Sequence, residues 1–159
     1  MIKQRFAGVA LSPSGAMSAA WMAQRRGGAG FKDDGVAAAD FDPGDMDGLA
    51  AFLERTSAGV VAVDGGAGSA DDACRAEALR QIAARLGVAT LTVTRRALVV
   101  AVEDFTPRQN SPCRDCCALV IGRRMLLRAW RTDDGSDRRA VAILLALHVA
   151  HLDEPGRGA

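Results

Sequence analysis

Apolar residues along this chain fall into short blocks separated by glycine, proline and acidic positions, and the blocks alternate between strand-like and helix-like patterns. Phe6 to Leu11 is a short apolar run that ends at Ser12-Pro13-Ser14-Gly15, so a strand followed by a turn whose serines can cap a helix is predicted. Met17, Ala20 and Trp21 then recur at three-to-four spacing, which predicts a helix stopping near Arg25-Arg26-Gly27-Gly28. Gly27 to Asp40 shows no clear period and reads as a loop or a poorly formed strand. Asp42-Pro43 places a capping residue before a proline, and Met46, Leu49, Ala50 and Leu53 supply the stripe of a following helix. The β-branched run Gly59 to Val63 has the look of a central parallel strand, and it breaks at Asp64-Gly65-Gly66-Ala67-Gly68-Ser69.

Asp71 to Leu86 carries the clearest helical pattern. Cys74, Ala78, Ile82 and Leu86 recur every fourth position with Leu79 beside them, Arg75, Arg80 and Arg85 point outward, Ser69 or Asp71 caps the start and Gly87 ends it. Val88 to Thr94 and Ala97 to Val102 are two further β-branched runs, each predicted to be a strand, separated by Arg95-Arg96. Pro107 to Asp115 reads as a loop and Cys117 to Ile121 as a strand. Arg138 to Leu152 is apolar nearly all round, as a buried helix capped by Ser136 or Asp137 would be. The expected organisation is a single α/β domain over residues 1–152 with a disordered tail at 153–159.

Strands alternating with helices predict right-handed crossovers, and so a three-layer α/β fold with a mostly parallel sheet and helices on both faces. Ligand sites in such sheets lie beyond the carboxyl ends of the strands, which directs attention to the residues just after each apolar run.

Composition narrows the picture. At 159 residues the chain is long enough for one real core, and 49% apolar residues with only 4% aromatics mean that small side chains must fill it. Twenty basic against nineteen acidic residues leave a formal charge of +1, no overall footprint for nucleic acid or an anionic membrane. Neither a signal-peptide pattern nor an apolar run long enough for a membrane span occurs, so a cytoplasmic protein with no membrane partner is expected. There, four cysteines are expected as thiols or metal ligands.

Gly65, Gly66, Gly68 and Ser69 stand between a buried strand and a helix start, where glycines let several backbone N–H groups face one spot, an arrangement suited to phosphate. The alternative is a glycine turn kept for packing, and no Gly-Lys-Ser/Thr follows to make an ordinary P-loop. The helix ending Leu49 to Leu53, the strand Val60 to Val63, the Gly65 to Ser69 loop, the run Ile82 to Thr94 and the later Leu119 to Leu127 together resemble the central part of the tubulin/FtsZ family. That resemblance implies a GTP or GDP site with magnesium, built from the glycine loop and from Ser14 and Gly15 of the first turn. It also implies a role in filaments or cell division. The first turn departs from the family's glycine run, since Pro13 supplies no N–H, and the family's second, catalytic domain has no counterpart here. A shortened, non-catalytic relative is therefore expected, acting through a protein partner or self-association, with a GTP-binding module or weak GTPase as the alternative.

Other residues leave further readings open. Arg95-Arg96 and Arg123-Arg124 each follow an expected strand and could hold phosphate or an acidic partner, or be solvated turn residues. Cys113, Cys116 and Cys117 include a Cys-x-x-Cys spacing able to chelate zinc, with Cys74, His148 or His151 as further ligands, or they are simple thiols. His148 and His151 are expected to serve the helix C-terminus or the edge of the core. Asp64, Asp71 and Asp72 could hold magnesium, although Asp71 and Asp72 also suit a helix N-terminus.

Overall fold

A computed structural model describes residues 3–25, 32–66, 70–105, 122–132 and 134–152. Three strands come first, β1 (Lys3–Leu11), β2 (Met17–Arg25) and β3 (Lys32–Phe41), followed by helix α1 (Met46–Thr56), strand β4 (Val60–Asp64) and helix α2 (Ala70–Arg85). Strand β5 (Ala89–Val93) and helices α3 (Arg95–Phe105), α4 (Gly122–Ala129) and α5 (Gly135–Leu152) complete the described elements. The sheet has the order β3-β2-β1-β4-β5, with β1 at its centre. β1 pairs antiparallel with β2 and β2 with β3, whereas β4 runs parallel to β1 and β5 parallel to β4.

The sheet is thus mixed rather than mostly parallel, because the segment expected as the first helix is strand β2. Met17 and Ala19 enter the core on one face and Ala20 and Met22 on the other. A strand buried on both faces loses its polar alternation, so its apolar residues also satisfy helical spacing. The turn Ser12-Pro13-Ser14-Gly15 closes a β-hairpin instead of capping a helix: Gly15 takes φ +92°, its N–H donates to Ser12 O at 3.0 Å, and Ser12 N–H donates to Ala16 O at 2.9 Å. Of the two readings of Gly27 to Asp40, loop or strand, the strand holds for its described part, which lies in the edge strand β3.

On one face, α1 and α2 cover Ala7, Val9, Leu11, Met17, Val61 and Val63 with Leu49, Phe52, Leu53, Ala76, Leu79 and Ile82. Phe41 at the end of β3 meets Phe52 edge-on, with ring centroids 5.8 Å apart. Asp45, rather than Asp42, caps α1 by accepting the Gly48 N–H at 3.0 Å. Helix α2 lies where expected, but the face it buries is Asp72, Ala76, Leu79, Ile82 and Ala83, leaving Cys74 exposed.

On the opposite face, α5 lies across β1 and β2, with α3 and α4 beside it. Val141, Ala142, Leu144, Leu145 and Val149 pack with Phe6, Ala10, Ala20 and Met22. Contact is closest at Gly8: a Cβ there would fall 2.2 Å from Ala142 O and 2.8 Å from Ala146 N. The cap of α5 is Asp134, whose Oδ1 accepts from Ser136 N–H (2.8 Å) and Asp137 N–H (3.2 Å), so neither Ser136 nor Asp137 has that role. Asp137 instead accepts two hydrogen bonds from Arg128, which raise the arginine's pKa above its ordinary value. Ala97 to Val102, expected as a strand, lies in α3. Thr94 Oγ1 accepts the Ala97 N–H at 3.1 Å, and Leu98 is buried while Val100 is exposed. No helix among the described residues is long and apolar enough to cross a membrane.

Candidate functional site

The carboxyl ends of β1, β4 and β5 lie together, and the side chain that joins them is Asp64. It is 2% exposed, and each of its oxygens takes two donors. Oδ1 accepts from Gly66 N–H (2.8 Å) and Arg95 Nε (3.2 Å), while Oδ2 accepts from Leu11 N–H (3.2 Å) and Arg95 Nη2 (3.3 Å). The last residue of β1, the glycine loop after β4 and the first residue of α3 therefore meet on one carboxylate. Arg95 is itself stacked on Trp130, with its Cζ 5.0 Å from the ring centroid. A two-point arginine–carboxylate pair backed by an aromatic face is rigid and specific in direction.

Two of the loops predicted to meet a phosphate do approach each other, through α2. The site of a Cβ on Gly15 is 3.0 Å from Arg75 Nε, and that of a Cβ on Gly66, which has φ +77°, is 2.5 Å from Asp72 Cβ. Arg75 Nη1 donates to Asp72 Oδ1 at 3.1 Å, so this ion pair fills the space between the loops. Glycine at position 66 answers both a left-handed backbone and a close neighbour, needs that exist without a ligand. The backbone donors are engaged internally as well: Gly15 N–H with Ser12 O, Gly65 N–H with Val93 O at 2.9 Å, and Gly66 N–H with Asp64. Ser14 Oγ lies 3.0 Å from Ser12 Oγ within the hairpin.

Of the remaining sequence candidates, Arg96 is exposed at the start of α3, and Arg123 belongs to α4, not to a turn after a strand. Gly68, Ser69, Cys113, Cys116 and Cys117 lie outside the described residues. Among the described residues no group of three His, Cys, Asp or Glu is placed to hold a metal ion.

Sequence reasoning did not find a second cluster on the same edge of the sheet. Ser18 Oγ donates to Asp40 Oδ1 at 2.6 Å and accepts from Arg138 Nε at 2.8 Å, and Arg139 Nη1 also bonds to Asp40. Its members are 22 to 120 positions apart, so no local spacing announces them. The one available signal was a pair of arginines at the start of an otherwise apolar helix.

No family model matches the sequence, and no curated protein matches it. Among solved structures, the chain is similar to an Aquifex aeolicus PPX-GPPA enzyme, with 10% identity, a TM-score of 0.40, and coverage of 67% of this chain and 42% of that one. A second structure, of the Aquifex aeolicus member of the Ppx/GppA protein family, gives 10% identity, a TM-score of 0.36, and coverage of 64% and 40% respectively. The chain thus spans less than half the length of either. The tubulin/FtsZ resemblance, and with it the expectation of a filament or cell-division protein, is overturned: the similar solved structures are of Ppx/GppA proteins, and of the segments that carried the resemblance, Gly122 to Leu127, expected as the end of a strand and a turn, lies in helix α4. What stands is a mixed α/β fold with a five-stranded sheet flanked by helices.

Proposed function

We propose that this is a non-catalytic binding domain that acts by contacting another protein. The observation that carries the reading is the commitment of Asp64. A carboxylate at this position in an α/β sheet would serve a reaction by binding a metal ion or taking a proton. Here its oxygens are shared among Arg95 and two backbone N–H groups, which makes it a clamp for three segments. Contact with a protein is supported by Leu91 and Val100, the exposed large apolar side chains among the described residues, which sit on the edge strand β5 and on the next helix, α3. A second reading is favoured by the approach of Gly15 and Gly66 to Arg75 and Asp72: a GTP or GDP site with magnesium that forms when the Arg75–Asp72 pair opens.

The test is phosphate release from GTP and ATP with magnesium, and unfolding temperature with GTP and GDP present. No turnover above the buffer blank is expected. Turnover lost in Asp64→Asn would overturn the binding-domain reading. Stabilisation by GTP that disappears in Arg75→Met would install the nucleotide site in its place, because a ligand selective for the folded state must raise apparent stability.

A further inference from the structure

The two edge strands of the sheet are unlike. β3 carries Lys32, Asp33, Asp34 and Asp40, and it pairs with β2 through a register shift at Ala23/Gln24. Charge and irregularity of this kind keep an edge from accepting a further strand. β5 is Ala89-Thr90-Leu91-Thr92-Val93, with neither charge nor proline, and its pairing with β4 runs without a shift from Val60↔Ala89 to Asp64↔Val93. Among the described residues no strand lies on its outer side.

One hydrogen bond fixes which backbone groups of β5 face outward. Val93 O accepts the Gly65 N–H, from the residue after β4, at 2.9 Å, so the N–H and C=O of Val93 turn towards β4. Both groups of a strand residue point the same way and successive residues alternate. Leu91 and Ala89 therefore turn inward with Val93, and the N–H and C=O of Thr90 and Thr92 are directed away from the sheet. The Leu91 side chain shares a face with Val93, the face covered by α3 and α5, and is 38% exposed there. On the other face Thr92 Oγ1 accepts from Arg80 Nη1 at 3.1 Å, a bond that leaves the backbone of Thr92 unused. Outward donors and acceptors in line, with an apolar side chain between them, are the fittings by which an extended segment joins a sheet.

Charge selects the segment. Arg85, at the end of α2, precedes the strand, and Arg96, in the first turn of α3, follows it. Both are exposed, and among the described residues neither is held by a carboxylate. A second copy of this chain fits poorly, because antiparallel pairing of two β5 strands about Leu91 brings Arg96 of each copy to the Arg85 end of the other, and like charges so placed repel. Acidic residues at the ends of the added segment turn the same placement into attraction.

We propose that the outer edge of β5 binds, as an added strand, an extended segment of another protein that is apolar at alternate positions and acidic at its ends. The proposal rests on the reading of this chain as a protein-binding domain, and it assigns the place and chemistry of the contact.

The experiment titrates the full chain with the acetylated, amidated peptide Glu-Thr-Val-Thr-Val-Thr-Glu and separately with Lys-Thr-Val-Thr-Val-Thr-Lys, following backbone amide resonances and hydrogen exchange by NMR. The acidic peptide should shift the Thr90 and Thr92 amides saturably, slow exchange at both, and bind about tenfold or more tightly than the basic one. Thr90→Pro removes an outward N–H and none of the bonds to β4, and should weaken binding about tenfold. Arg85→Glu with Arg96→Glu should reverse the preference between the peptides, and it keeps the test decisive if Thr90→Pro fails to fold. No saturable shift at Thr90 and Thr92 with millimolar peptide would overturn the proposal, as would a preference that the charge reversal leaves unchanged. So would amides at Thr90 and Thr92 that are already protected without peptide, in a monomer because the chain covers its own edge or in a dimer because a second copy does. Peptide binding that shifts only other amides sinks the β5 site and leaves the binding-domain reading standing, whereas turnover lost in Asp64→Asn sinks that reading itself.

Discussion

Gly8→Val is expected to destabilise this protein by more than about 3 kcal/mol, which for a domain of ordinary stability approaches loss of the folded state. Inserting bulk into a packed core usually costs about 1–3 kcal/mol because side chains can rotate away. The atoms that would meet a side chain at position 8 include Ala142 O and Ala146 N, backbone atoms in the middle of α5, and they cannot turn aside. The helix would have to lift from β1 and β2, exposing Phe6, Ala10, Ala20 and Met22. Gly59→Ala is the control, since its added methyl meets nothing within 4 Å and its φ is not positive. It should leave stability within about 0.5 kcal/mol. Urea unfolding of both variants checks this. A Gly8→Val protein with an unchanged midpoint would mean that α5 does not lie on β1 as described.

Asp64→Ala should have an effect of similar size for a different reason. It strands the largely buried guanidinium of Arg95 and leaves the Leu11 and Gly66 N–H groups without their acceptor. Removing one partner of a buried ion pair typically costs about 3–5 kcal/mol. At about 2–4 °C per kcal/mol for a chain of this size, the unfolding temperature should drop by roughly 6–20 °C. The double variant Asp64→Ala with Arg95→Met should be more stable than Asp64→Ala alone, because the uncompensated charge goes too. Thermal unfolding of the four proteins in this cycle supplies the coupling. Additive losses would show that the two side chains act independently and that the clamp does not exist.

How much the sequence discloses can be traced residue by residue. β1, α1, β4, α2, β5 and α5 are legible because their runs are apolar or β-branched throughout or carry a helical stripe, and are bounded by turn residues, glycines or capping groups. β2 is misread since Met17, Ala20 and Trp21 fit a helical face as well as they fit a strand with core on both sides. α3 is misread for the converse reason: the β-branched stretch from Ala97 to Val102 suggests a strand, but Thr94 starts a helix and Val100 faces out. That the carboxyl ends of β1, β4 and β5 gather on one edge is legible, because parallel strands joined by helices must end there whatever they contain. The content of the site is not. The Asp64–Arg95 pair joins the ends of adjacent parallel strands, and the Arg138–Ser18–Asp40 cluster joins opposite ends of the chain, relations that exist only once the sheet has formed.

The central place of β1 also bears on how the chain comes off the ribosome. Its β2 edge is satisfied as soon as the hairpin is made, but its other edge pairs with Val60 to Val63, which are synthesised some fifty residues later. The face formed by Phe6, Ala10, Ala20 and Met22 waits longer still, because its principal cover is the helix Gly135–Leu152. Until Gly135–Leu152 has been made, the nascent chain therefore carries an uncovered apolar sheet face, and until Val60–Val63 has been made an open strand edge, the two features most prone to aggregation and most in need of a chaperone.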